Sequence, residues 1–180
     1  TSDNGGMLNH AGRIAMKAGH KINGDLLGFK FGVWEGGHRI PFIVKWPGKI
    51  EAGTVSPVQV TATDHYPTLL ELAGLPLRPE QHRDGRSYRP ALEGETYTRD
   101  PMFFHSALGR PAQTGDTRSS AVIAGDWKLI QYDVLDGSVR KTQLFNLATD
   151  PFESNDIAAD HPERVADLHR RYLKQRDRDA

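Results

Sequence analysis

The texture of the chain changes near residue 110, and the stretch beyond that point constrains the fold most. Ser120 to Ala124, Trp127 to Tyr132 and Gln143 to Leu147 are short apolar, β-branched or aromatic runs. They are separated by Gly125-Asp126 and by Asp136-Gly137, dipeptides that favour tight hairpin turns. Strands joined so closely pair antiparallel. Ala158 to Lys174 then reads as a helix, with Val165, Leu168 and Tyr172 on one face and Asp160 and Glu163 spaced as a capping box. Residues 110–180 are therefore expected to form a small antiparallel sheet packed with a terminal helix.

Residues 1–109 read as a different region, of α/β character. Ile40-Pro-Phe-Ile-Val-Lys-Trp46 has the composition of a buried strand, and Pro47-Gly48 ends it. Residues 56–63 read as an extended segment leading into a helix. Asp64 is placed as its N-cap and Pro67 in its first turn; Tyr66, Leu69, Leu70 and Ala73 follow at helical spacing, with Gly74 at C′. Residues 75–100, rich in Pro, Arg, Asp and Glu, read as surface loops. Met102-Phe103-Phe104 reads as a strand ending at His105, and residues 106–118 as a connection. Eleven of the 18 glycines fall in residues 1–60, which points to loops whose backbone approaches something closely. The chain opens Thr1-Ser2-Asp3-Asn4-Gly5-Gly6, turn chemistry of the kind that follows a strand. The sequence therefore reads as beginning inside a larger domain.

Composition narrows the classes of function. Lys plus Arg and Asp plus Glu are 23 each, so the formal charge is zero, against the basic excess expected of a nucleic-acid binder. No run approaches the roughly 18 apolar residues of a membrane-spanning helix. Cysteine is absent, which removes disulfides, thiolate metal sites and cysteine nucleophiles.

A few residues are equipped for chemistry. Asp3 and Asn4 offer a carboxylate and an amide oxygen side by side, hard ligands suited to Ca²⁺ or Mg²⁺; the plain alternative is an Asx turn. Lys30 stands among glycine and apolar residues in Gly28-Phe-Lys-Phe-Gly-Val-Trp-Glu-Gly-Gly-His-Arg39. It reads either as a point charge for an anion or as a snorkelling side chain. Arg39 is a second cation, or a partner of Glu35 bracing the loop. His38 has a ring suited to proton transfer, or to structural hydrogen bonding. His105, at a strand end, is a candidate pocket residue. The other histidines, at 10, 20, 65, 82, 161 and 169, lack metal-ligand spacing and are expected to face solvent.

Together these segments resemble the sulfatase family of the alkaline-phosphatase-like superfamily, closest to its arylsulfatase A-like branch and to its C-terminal portion only. Ser2-Asp3-Asn4-Gly5 is similar to the turn whose Asp and Asn bind calcium in that family. Lys30-x-x-x-Trp34-Glu35-Gly36-Gly37-His38-Arg39-Ile40-Pro41 is similar to the segment whose lysine binds the substrate sulfate. Trp46-Pro47-Gly48, Asp64-His65-Tyr66-Pro67-Thr68-Leu69-Leu70, Asp84-Gly85-x-Ser87, Gly125-Asp126-Trp127-Lys128-Leu129-Ile130 and Leu144-Phe145-Asn146-Leu147-x-x-Asp150-Pro151-x-Glu153-x-Asn155 continue the likeness. The family commonly has Arg where Leu27 stands and Gly where Phe31 stands.

The resemblance implies an α/β fold, the C-terminal part of a sulfatase core followed by the small sheet and helix. It implies sulfate-ester hydrolysis, with Lys30 catalytic and substrate-binding, Arg39, His38 and His105 substrate-binding, and Asp3 and Asn4 holding Ca²⁺, with Mg²⁺ the alternative. The family nucleophile is a formylglycine made from Cys or Ser in a Cys/Ser-x-Pro-x-Arg motif. Neither version occurs in these 180 residues, so it is expected upstream and this segment alone is expected to be inactive. The implied partners are a sulfated small molecule or sulfated carbohydrate and the N-terminal sulfatase segment; the implied location is periplasmic or secreted. Two other readings stay open: a phosphate-ester hydrolase or transferase of the same superfamily, and a non-catalytic calcium- or carbohydrate-binding module.

Overall fold

A computed structural model describes residues 1–106, 118–132 and 139–179. Its strands are β1 (Met102–Ser106), β2 (Ser119–Ala124), β3 (Trp127–Tyr132) and β4 (Lys141–Asn146). Its α-helices are α1 (His10–Lys17), α2 (Glu35–His38), α3 (His65–Leu72), α4 (Arg89–Leu92) and α5 (Pro162–Asp179). The strands form one antiparallel sheet in chain order, β1-β2-β3-β4. Gly125, at φ +57°, and Asp126 close the β2–β3 hairpin, whose last pair is Ala124 with Trp127. The connection over 107–117 and the Asp136-Gly137 turn lie outside the described residues.

Alternation along the strands sorts the core onto two faces. Val122, Leu129 and Leu144 meet Leu168 and Tyr172 of α5, the contact expected of the small sheet and its helix. On the other face Ala121, Ile130, Tyr132 and Phe145 pack against Val33. That second cover comes from residues far upstream, which hydrophobic patterning does not reveal.

Contacts group residues 1–42 with 101–180 in one unit and residues 43–100 in another, so the grouping runs across the division read near residue 110. Within the second unit α3 forms as expected, and Gly74 follows it at φ +67°. Asp64 stands at the N-cap position of α3, as expected, but its side chain makes no capping hydrogen bond to that helix. It is fully buried, and its carboxylate accepts hydrogen bonds from the Thr61 and Arg86 backbone N–H groups, both at 2.8 Å, and from Arg99 Nε at 3.1 Å. It thereby closes a 3₁₀ turn over Ala62–Asp64.

Other expectations change. Residues 40–46 form no strand, and Ile43 is 84 % exposed. A strand needs a neighbouring strand for its backbone polar groups, and among the described residues the sheet is made of β1 to β4 without this segment. Helix α5 begins at Pro162, leaving Asp160 in a preceding turn and out of reach of a capping box. Proline suits a first helical position, where its missing N–H costs nothing. Not every histidine expected to face solvent does so: His65 Nδ1 lies 3.0 Å from Tyr88 Oη, and His169 Nδ1 lies 2.8 Å from Gln131 Nε2.

Candidate functional site

The opening turn and the lysine loop are laced together by backbone. The Lys30 N–H donates to the Gly6 carbonyl at 2.9 Å, and the Gly5 N–H donates to the Gly37 carbonyl at 3.0 Å. Asn23 ties the same two segments: its Oδ1 accepts from Gly6 N at 2.7 Å and its Nδ2 donates to the Gly28 carbonyl at 2.9 Å. Such closeness explains the glycines. A Cβ on Gly5 would run into the Gly36 carbonyl, and one on Gly36 would stand 2.5 Å from the Gly28 carbonyl oxygen. Lys30 is half-buried, with Nζ 5.4 Å from the centroid of the Phe31 ring. Phe31 itself sits at φ +79°, in the left-handed region that a bulky side chain seldom enters.

Beneath this loop lies a buried charge cluster. Lys128 projects from β3 on the same face as Ile130 and is fully buried. Its Nζ stands 2.8 Å from Glu35 Oε1, 2.6 Å from Glu153 Oε1 and 3.2 Å from His38 Nε2. Glu153 Oε2 also accepts from the Glu35 N–H at 2.7 Å. Burial pushes the Glu35 carboxyl up, but the Lys128 ammonium and its other charged neighbours outweigh it and leave Glu35 below its usual value. Burial dominates at Glu153 and holds its carboxyl above the usual value, although Lys128 opposes it. Burial first and the Lys128 charge second press the His38 ring down to about 4, so it is neutral at pH 7. Its Nε2 is also 3.1 Å from the Val33 carbonyl. One nitrogen cannot accept from Lys128 and donate to Val33 at once, so the tautomer selects between them. The imidazole stacks on Phe104 of β1 at 4.1 Å.

The candidate residues thus divide. Asp3, Asn4 and Lys30 lie on segments in direct contact. Asp3 is exposed; Asn4 is half-buried, and its Nδ2 donates to the Gly5 carbonyl at 2.8 Å, leaving the amide oxygen as its acceptor. Of the candidate residues, Asn4 and Arg39 line a cleft of about 790 Å³, together with Gly6, Met7, Asn23 and Ile40 among others; Asp3 and Lys30 are not part of its lining. The Arg39 guanidinium is half-exposed and 3.6 Å from Glu35, so it both braces the loop and reaches the cleft.

His38 faces the sheet beneath the loop, where its ring stacks on Phe104 and lies 3.2 Å from Lys128 Nζ. His105 pairs with Ser120 and lies on the α5 face of β1, opposite the face that carries Phe104 and the loop, so the structure does not bring it to Lys30. Lys128, Glu153 and Ser106 are not singled out by sequence reasoning. A signal exists for the first: Lys128 has the parity of Ile130 and Tyr132, and a charge at an inward strand position demands a partner.

Among the described residues no three His, Cys, Asp or Glu gather as a metal cluster, and no helix is long and apolar enough to cross a membrane.

Comparison with known proteins agrees with this architecture. Residues 29–178 match the family described as N-sulphoglucosamine sulphohydrolase, C-terminal. The chain is 29 % identical to an N-acetylgalactosamine-6-O-sulfatase of Bacteroides thetaiotaomicron, over 93 % of this chain and 34 % of that protein. The crystal structure of Ps i-CgsB superposes with a TM-score of 0.75 at 29 % identity, over 97 % of this chain and 35 % of that one. A structure in complex with its substrate D-glucosamine-2-N,6-O-disulfate gives a TM-score of 0.63 at 26 % identity, over 79 % of this chain and 29 % of that one. The chain therefore spans about a third of the length of such relatives. It belongs to the sulfatase family, and the portion it represents is the C-terminal one.

Proposed function

We propose that this chain serves a sulfuric ester hydrolase acting on a sulfated small molecule or sulfated carbohydrate. Support comes from the family and from the sulfated sugar that one relative holds as its substrate. The observation that carries the reading is the Lys30 N–H to Gly6 carbonyl hydrogen bond of 2.9 Å, which sets the ammonium-bearing loop against the Asp3-Asn4 turn.

In this reading Lys30 offers a fixed positive charge to the sulfuryl oxygens as negative charge grows on them. Arg39, at the edge of the cleft, is a second cation for the anionic substrate. Asp3 and Asn4 fit part of a Ca²⁺ or Mg²⁺ shell, since both present hard oxygens. Calcium takes about 6–8 such oxygens, so other groups must complete the shell. A bound cation would supply further stabilisation of the developing charge. The attacking oxygen would come from a formylglycine outside these 180 residues, which contain neither Cys nor a Ser-x-Pro-x-Arg segment. The segment alone would accordingly not turn over. A periplasmic or extracellular location is part of the same proposal.

The test is a complete chain assayed on an aryl sulfate and a sulfated sugar. Lys30→Ala should lower kcat/KM by about 100-fold or more, and Asp3→Ala should weaken the dependence on added divalent cation. Unchanged turnover in both variants would sink the site assignment. Faster turnover of a matched aryl phosphate would favour phosphate-ester hydrolysis instead.

A further inference from the structure

We infer that Ser106 and Glu153 are positioning residues for Lys30: side chains beside the loop pin it at the residue after the lysine and again at Glu35. The inference rests on the catalytic role proposed for Lys30.

The first pin is direct. Ser106, at the end of β1, donates its Oγ hydrogen to the Phe31 carbonyl at 2.5 Å. Phe31 is held at φ +79°, a conformation that a bulky residue keeps only when its surroundings fix it. The Ser106 hydroxyl supplies that fixation from the neighbouring strand.

The second pin is buried. Glu153 accepts from the Glu35 N–H at 2.7 Å, and its other oxygen is anchored by Lys128 at 2.6 Å. Glu153 is itself at φ +56°, in a tight turn organised by Asp150. The Asp150 carboxylate accepts from Ser154 N at 3.0 Å and from Asn155 N at 2.9 Å. Desolvation pushes the Asp150 carboxyl up, but these hydrogen bonds together outweigh it and hold the group below its usual value. Between the pins, Val33 is buried against the sheet and the Trp34 ring lies 5.6 Å from that of Phe145. With Lys30 N–H held by Gly6 as well, the lysine backbone has little room to move. A misplacement of about 1 Å is enough to lower a rate by about 100-fold, so these pins should be felt in turnover.

A double-mutant cycle in the complete enzyme, assayed on an aryl sulfate beside melting curves, decides the matter. Ser106→Ala should lower kcat/KM about tenfold at an unchanged melting temperature, and Glu153→Ala by about 100-fold. Ser106→Thr, which keeps the hydroxyl, should restore most of the loss. In a Lys30→Ala background each alanine variant should change kcat/KM by less than about twofold further, because the group it positions is gone. Losses that multiply with that of Lys30→Ala, or no loss in Ser106→Ala, would overturn the inference while leaving Lys30 its role. Should Glu153→Ala fail to fold, the Ser106 cycle still decides. A Lys30→Ala enzyme with full activity would remove the catalytic reading itself, and the inference with it.

Discussion

At the scale of single residues, His38 shows how environment overrides type. An imidazole near Lys30 invites a proton-transfer role, but burial and the Lys128 charge hold its ring down to about 4 from an ordinary 6.5. A depressed value in the folded state means that His38 contributes stability above pH 6.5, and that this is lost as pH falls toward 4. The full effect is roughly 3 kcal/mol. The groups facing the ring are Lys128, Glu35 and Arg39, and Glu153, with its raised value, works in the opposite direction. Melting curves of parent and His38→Gln between pH 6.5 and 4 separate the two contributions: the difference between the two proteins should shrink steadily with acid, and a constant difference would contradict the assignment. Asp3, Asn4 and Lys30 stand out in the sequence as candidates because each carries its chemistry on its own side chain. Lys128 and Glu153 are not, because their meaning is relational: each is explained only by a partner on another segment.

At the scale of elements, legibility tracks how local the causes are. The β2–β3 hairpin needs only alternation and Gly125-Asp126, so it is readable. So is α3, with Gly74 behind it. Helix α1 is not, since its one clear signal is Asn9, whose side chain accepts from Gly12 N at 2.8 Å. The segment at 40–46 misleads because apolar composition announces burial but not the strand to pair with. Helix α5 offers a direct check on packing. Leu168 is 1 % exposed and sits among Val122, Leu129 and Leu144, so Leu168→Ala should lower stability by about 2–5 kcal/mol. A chemical-denaturation midpoint close to the parent's would mean that α5 is not docked as described.

At the scale of the molecule, one unit is assembled from two stretches, 1–42 and 101–180, that are far apart in sequence. Lys128 joins them by facing Glu35 of the first and Glu153 of the second. Removing it takes the shared ammonium from two buried carboxylates and leaves only Glu35 a cation, Arg39 at 3.6 Å, so Lys128→Met should destabilise by about 3–5 kcal/mol. The triple variant Lys128→Met, Glu35→Gln, Glu153→Gln removes the stranded charges and should recover part of that loss; a single and a triple variant that unfold alike in denaturant would argue against the cluster as the join.

The Glu35–Glu153 contact spans 118 positions. Because a ribosome delivers the chain from its first residue onward, the lysine loop leaves the exit tunnel long before the partner that seats it has been synthesised. Until translation has passed Glu153, the nascent polypeptide carries Lys30 without one of the two side-chain pins of its loop. Messages cut short before that codon would yield products that hold the lysine and the Asp3-Asn4 turn, yet lack the carboxylate that fixes the loop at Glu35.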